Sequence, residues 1–167
     1  MLKCSSKDYL HSLGALALAA RLKRLSDRMV HDARALYEEL GLPIEPNWYL
    51  VFLLLELRGP LAVTEIASAL GWAHPSVVAV VAKMQKRGLI VGRASREDGR
   101  RTLLTLSKKG HTQLATARPV WKAAAGGVQS LIDEAGGEVM PLVDALERAF
   151  TRRGLRQRTL EKLEKLR

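Results

Sequence analysis

A chain of 167 residues with a formal net charge of +10 and one cysteine is long enough for one domain with a real core, or a small domain plus an extension. The lone Cys4 excludes an internal disulfide and fits a reducing compartment, so a cytoplasmic protein is expected. No apolar run is long enough to span a bilayer and no leader-like N-terminus is present, so neither membrane nor secretion is expected.

A basic balance favours a polyanionic partner without separating nucleic acid from an anionic membrane. Its distribution is more informative. Residues 1–57 hold 7 basic and 7 acidic side chains, and residues 58–111 hold 10 and 3, net +7. Residues 112–150 hold 3 and 5, and residues 151–167 hold 7 and 2.

Residues 8–40 read as one long helix, with Leu22, Leu25, Met29, Ala33, Leu36 and Leu40 on one face at steps of three and four. Gly14 is its weak point, and Gly41-Leu42-Pro43 ends it. Trp48 to Leu55 is apolar all round and reads as a buried helix that continues through Glu56-Leu57-Arg58 and stops at Gly59-Pro60.

Leu61 to Leu106 is the most informative stretch. A short amphipathic helix ends at Leu70-Gly71, the turn Trp72-Ala73 follows, and His74-Pro75-Ser76-Val77 opens a second helix that reaches about Arg87. Pro75 suits the first helical position, which makes His74 the N-cap. After Gly88, the runs Leu89-Ile90-Val91 and Thr102 to Leu106 flank a loop containing Arg93, Arg96, Arg100 and Arg101. Helix, tight turn, helix and a hairpin with a basic tip are the parts of a winged helix-turn-helix.

Beyond the hairpin, Ser107 caps a helix that should kink at Pro119 and weaken at Gly126-Gly127. Gly136-Gly137 breaks the chain, and residues 138–150 and 155–166 read as two more helices, the last carrying a stripe of Leu155, Leu160, Leu163 and Leu166. The fold class is therefore mainly α with a small β-hairpin wing. The unpartnered apolar stripes at both ends predict a homodimer.

This order of elements resembles the MarR family of transcriptional regulators over nearly the whole chain. The resemblance is carried by Gly59 to Ala67, by Leu70 to Val77 and, most specifically, by Arg96-Glu97-Asp98-Gly99-Arg100-Arg101 followed by Leu104-Thr105-Leu106-Ser107-Lys108-Lys109-Gly110. Leu22-Lys23-Arg24-Leu25-Ser26-Asp27-Arg28 also resembles a subgroup in which this module is sometimes fused to a GNAT acetyltransferase.

The resemblance implies a single domain over 1–167. Residues 45–111 would form the winged helix-turn-helix core, with 1–44 and 112–167 as dimerisation helices. It further implies a homodimeric repressor on a palindromic double-stranded operator, released by a small aromatic or anionic effector. On this reading His74, Pro75, Ser76, Val78, Ala79 and Lys83 face the major groove, and Val77, Val81 and Met84 face the core. Backbone amides at the helix start add phosphate or base contacts.

Relatives carry polar residues where this chain has Val78-Ala79, so recognition here leans on thymine methyls and DNA shape. Arg100 matches the family arginine that enters the minor groove. Arg96 and Arg101 are candidate phosphate contacts, and Asp98 is expected to brace the wing through an arginine. Ala62 replaces a Ser or Thr cap, which deprives Glu65 of its capping-box partner.

Relatives also bind ligands in a cleft beneath the dimerisation helices. Its counterpart here would use Trp48, Tyr49 and Phe52, with Arg21 or Arg24 meeting an anionic group. Read from the residues alone, aromatic residues on an apolar helix are more often an ordinary core.

Three function classes stay open: a DNA-binding regulator, a winged-helix interaction module without DNA, and an enzyme. The chain has no Gly-rich phosphate loop, nucleophile elbow or paired-carboxylate motif, so no enzyme and no cofactor are expected. His11, His31, His74 and His111 are scattered, so no metal site is expected. Cys4 reads as a thiol near the terminus without a sensor role, with only Lys3 and Lys7 nearby to lower its pKa.

Overall fold

The computed structural model describes residues 8–95 and 98–167. The expectations for Cys4, with its neighbours Lys3 and Lys7, and for Arg96 lie outside the described residues. The chain divides into two compact units, one up to Ala117 and one from Arg118 to Arg167.

The first unit begins with α1 (Tyr9–Ser12), a 3-10 turn over Gly14–Ala17, and α2 (Leu18–Glu39). The single helix expected over residues 8–40 is therefore broken. Gly14 sits at φ +54°, in the left-handed region that no α-helix contains, and the chain resumes through the 3-10 turn. Asp8 caps α1 by accepting the Leu10 N–H at 3.1 Å and pairs with Arg24 of α2 at 2.8 Å. α2 ends as expected around Gly41, with the Leu42 N–H donating to the Tyr37 carbonyl at 2.8 Å.

α3 (Trp48–Arg58), α4 (Val63–Leu70), α5 (His74–Lys86), β1 (Ile90–Ala94) and β2 (Thr102–Leu106) follow, and α6 (Lys108–Glu134) begins in the same unit. The core is built from Trp48, Val51 and Phe52 of α3, Ile66 of α4, Val77 and Met84 of α5, and Ile90 and Leu104 of the hairpin, all essentially inaccessible. The strands are antiparallel in the register Ile90↔Leu106 to Ala94↔Thr102. Leu61 adds a short third edge: its N–H donates to the Leu104 carbonyl at 3.1 Å, and the Leu104 N–H donates back at 2.8 Å.

α6 is seated by a glycine. A Cβ at Gly110 would lie 2.0 Å from the Leu89 carbonyl oxygen, so only a residue without a side chain lets α6 start this close to the hairpin. Leu114 and Ala117 complete the burial of its first turns.

The second unit holds the rest of α6, which continues past Pro119 and Gly126-Gly127, together with α7 (Val139–Arg152) and α8 (Leu155–Glu164). Gly136 and Gly137 separate α6 from α7. Two guanidinium groups lock the α7–α8 corner. Arg158 donates from Nε to the Arg153 carbonyl at 2.7 Å and from Nη2 to the Ala149 carbonyl at 3.0 Å, while Arg153 pairs with Glu161 at 2.9 Å. No residue from 118 onward is buried. Among the described residues, no single helix is long and apolar enough to cross a membrane.

Candidate nucleic-acid interface

The chain bends through 118° between α4 and α5, within the range for a helix-turn-helix. Gly71 at φ +63° makes that bend possible. It ends α4 in the left-handed conformation while the Trp72 N–H donates to the Ala67 carbonyl at 3.0 Å.

α5 starts one residue earlier than the sequence suggested. Ala73 is the N-cap and His74 is already helical, which puts Pro75 in the second position. The shift changes the chemistry of the helix start. Pro75 has no N–H, and the amides of Ser76 and Val77 donate to the Ala73 carbonyl at 2.9 and 3.3 Å. The helix start therefore offers fewer backbone donors than the sequence suggested.

Val77, Val80, Val81 and Met84 are buried, so Val80 joins the three inward residues expected. With 3.6 residues per turn, four inward positions fix the outer face. His74, Pro75, Ser76, Val78, Ala79 and Lys83 are all exposed, and so are Ala82 and Lys86. Ala82 and Lys86 lie one and two turns beyond Ala79 on the same face. Sequence reasoning omitted them because it lacked Val80 as an inward marker.

The far end of α5 is held firmly. The Lys109 ammonium donates to the Arg87 carbonyl at 2.9 Å, and the Ser107 hydroxyl donates to the Gly88 carbonyl at 2.6 Å while accepting the Gly110 N–H at 2.9 Å. Ser107 therefore caps α6 as expected and closes α5 as well. Arg87 lies 5.4 Å over the Trp48 ring and donates to the Pro43 carbonyl at 2.8 Å, which commits it to the scaffold.

The wing tip is ordered by its own backbone. The Ser95 N–H donates to the Arg101 carbonyl at 2.8 Å, and the Arg101 N–H donates to the Asp98 carbonyl at 2.9 Å. Asp98 does brace the wing, but by accepting the Arg100 backbone N–H at 3.0 Å, an Asx-type turn, where the sequence suggested a guanidinium. Arg93 and Arg100 are exposed. Arg101, expected as a phosphate contact, directs its guanidinium to Glu65 of α4 at 3.1 Å, with both side chains close to half exposed.

The same Glu65 accepts the Ala62 N–H at 2.7 Å. Glu65 thus keeps its half of the capping box even though Ala62 has no hydroxyl to return the bond. That hydrogen bond first, then Arg101, holds the Glu65 carboxyl below the usual range for a glutamate.

The five residues expected at an effector pocket differ in exposure and surroundings. Trp48 and Phe52 are core residues, packed inward because α3 is apolar on every side, while Tyr49 is exposed. Arg24 is engaged by Asp8, and Arg21 stays exposed on α2. The open groove of about 450 Å³ beside Arg24, lined also by Lys23, Arg28 and His31, contains none of the three rings. Among the described residues there is no group of three His, Cys, Asp or Glu that would hold a metal.

Residues 40–101 match the model of the MarR family. No curated protein matches the sequence significantly. Among solved structures, the chain is similar to the transcriptional repressor CouR bound to a 23-mer DNA duplex. The identity is 28%, over 83% of this chain and 96% of that one, with a TM-score of 0.64. It is also similar to the PcaV transcriptional regulator from Streptomyces coelicolor in complex with its natural ligand, at 19% identity over 86% and 95% with a TM-score of 0.66. The S. aureus MepR–DNA complex matches at 18% identity over 78% and 97%, again with a TM-score of 0.66. The last two establish the fold alone, which is that of MarR-type winged helices.

Proposed function

We propose that this protein is a MarR-type transcriptional regulator that binds double-stranded DNA as a homodimer and acts as a repressor. One observation carries the reading: on a single compact unit, an exposed helix face beginning at His74 lies beside a hairpin whose Arg93 and Arg100 are exposed. The match of residues 40–101 to the MarR family model and the likeness to a DNA-bound repressor support it. The stretch Leu22 to Arg28 supports a place beside the regulator halves of acetyltransferase fusions.

In this reading α5 lies in the major groove. Val78, Ala79 and Ala82 meet thymine methyls, Ser76 and His74 supply polar contacts, and Lys83 and Lys86 reach phosphates. Arg100 enters the adjacent minor groove. The dimer is supported by the exposed apolar residues of α2, α7 and α8, which include Leu22, Leu25, Leu142 and Phe150. Two recognition helices about 34–36 Å apart would then read an inverted repeat.

Effector control is part of the proposal, supported by the ligand-bound likeness. Tyr49 and Arg21 remain accessible for it, and a second chain must complete the site. An effector would have to bind one spacing of the two recognition helices better than the other.

A fluorescence-anisotropy titration of the full chain on duplex DNA across a salt series tests the DNA reading. The expected result is affinity that falls linearly on a log–log plot with a slope of several, one unit per phosphate contact roughly. Binding that is absent, or indifferent to salt, would contradict it and leave the winged helix as a protein-interaction module.

A further inference from the structure

Glu65 is an acidic residue where a DNA-binding surface has no electrostatic use for one. It lies on α4, within a segment of net charge +7, and its carboxylate is divided between two tasks. Oε2 accepts the Ala62 N–H at 2.7 Å and Oε1 holds the Arg101 guanidinium at 3.1 Å. Arg101 is the last residue of the wing tip before β2, and it directly follows Arg100. Its N–H and carbonyl also close the tip, through Asp98 and Ser95. A grip on Arg101 therefore fixes the backbone from which Arg100 projects.

A few residues away, the paired hydrogen bonds between Leu61 and Leu104 tie the chain just before α4 to the middle of β2. The hairpin is joined to the helix-turn-helix by backbone at its middle and by Glu65 at its tip. An exposed ion pair adds little to folding stability, so the consequence of this one is expected in geometry.

We propose that Glu65 is a positioning residue for DNA recognition: by holding Arg101, it sets the angle of the wing so that Arg100 is presented to the minor groove beside the site read by α5. The inference rests on the DNA-binding function proposed above. It makes Arg101 an anchor whose remaining contribution to phosphate binding is secondary. It also makes selectivity for narrow, A·T-rich flanking grooves depend on a residue that does not touch DNA.

The test is Glu65→Gln, because two effects of this change have opposite signs. Glutamine keeps an acceptor for the Ala62 N–H and so preserves the helix cap, while it removes the ion pair. By charge alone, deleting a negative side chain from a basic surface strengthens binding to every duplex equally. Loss of wing positioning instead lowers the ratio of affinities between A·T-flanked and G·C-flanked forms of one selected site.

Both affinities are measured by anisotropy, for E65Q alone and combined with Arg100→Ala, with thermal melting as the check on folding. If wild type prefers A·T flanks by about tenfold, as one good groove contact allows, E65Q should cut that ratio to about twofold. Arg100→Ala should then add little in the E65Q background. Arg101→Gln should lower the ratio in the same way, from the other side of the pair.

An E65Q protein that binds both flanks more tightly, with the ratio unchanged, would overturn the inference while leaving DNA binding intact. A wild-type protein that binds no duplex would overturn the functional reading, and this inference with it.

Discussion

The two units of this chain solve the burial problem differently. Up to Ala117, every element of the winged helix finds apolar partners within the chain, and Trp48, Phe52, Ile66, Val77 and Met84 are sealed. From Arg118 onward nothing is buried, although α7 carries Val139, Met140, Leu142, Leu146 and Phe150, and α8 carries Leu155, Leu160 and Leu163. Their helical periodicity is that of a packed face, yet they remain exposed. The winged helix seals its core within one chain, whereas the C-terminal helices leave their apolar faces exposed. A second copy, bringing the same faces by symmetry, is the partner that demands least.

The sharpest way to break the self-sufficient half is Gly110→Ala. The added methyl would meet the Leu89 carbonyl oxygen at 2.0 Å, and α6 would have to move off the hairpin. A loss of about 3 kcal/mol or more in unfolding free energy is expected, near the upper end for overpacking. Denaturant melts that match wild type would show that α6 does not need its close seat.

The incomplete half should respond the other way. Phe150→Glu touches no core, yet it should weaken association by about 2–4 kcal/mol, the range of an aromatic hot spot. Sedimentation would show dimer giving way to monomer while the helical signal persists. A wild-type protein that sediments only as monomer at micromolar concentration would remove the partner from the account.

Arg100→Ala leaves both halves folded and should cost about 1–3 kcal/mol in DNA binding, most of it on A·T-flanked sites. Unchanged affinity would move the wing off the DNA.

The smallest effect concerns pH. Glu65 is held below the usual glutamate range by the Ala62 N–H and then by Arg101. A carboxyl depressed in the folded state contributes stability at pH values above its unfolded pKa, and that contribution is lost as pH falls through the folded value. The stability difference between wild type and Glu65→Gln should therefore be constant from about pH 5 to 8 and shrink below about pH 4. A difference that survives to pH 3 would mean that the carboxylate is not its source.

Most of the fold was legible because its punctuation is local. Gly41-Leu42-Pro43, Gly59-Pro60, Gly71, Gly88 and Ser107 stop or start elements wherever they occur, and the two hairpin runs are short stretches of aliphatic and β-branched residues. Three features were not legible. The break at Gly14 depends on one backbone angle, which hydrophobic periodicity does not register. The cap at Ala73 has no side-chain signature, and Pro75 fits the first or second helical position equally well. The Glu65–Arg101 pair joins residues 36 positions apart, so only tertiary structure brings them together.

The exposed face of α5 was legible in outline because the helix has an apolar stripe, but Ala82 and Lys86 fell outside it until Val80 proved buried. Trp48 and Phe52 illustrate the converse. An aromatic pair in an apolar helix suits a pocket or a core, and within one chain both rings are buried.

The claim that organises this account is that two winged helices, held together by incomplete helical faces, read one DNA site. Selection of bound sequences from a random duplex pool by the full-length protein tests it most directly. The account predicts an inverted repeat with half-site centres about one helical turn apart and A·T-rich steps where Arg100 would reach the minor groove. A best site consisting of a single unrepeated element, or a pool without enrichment, would contradict it.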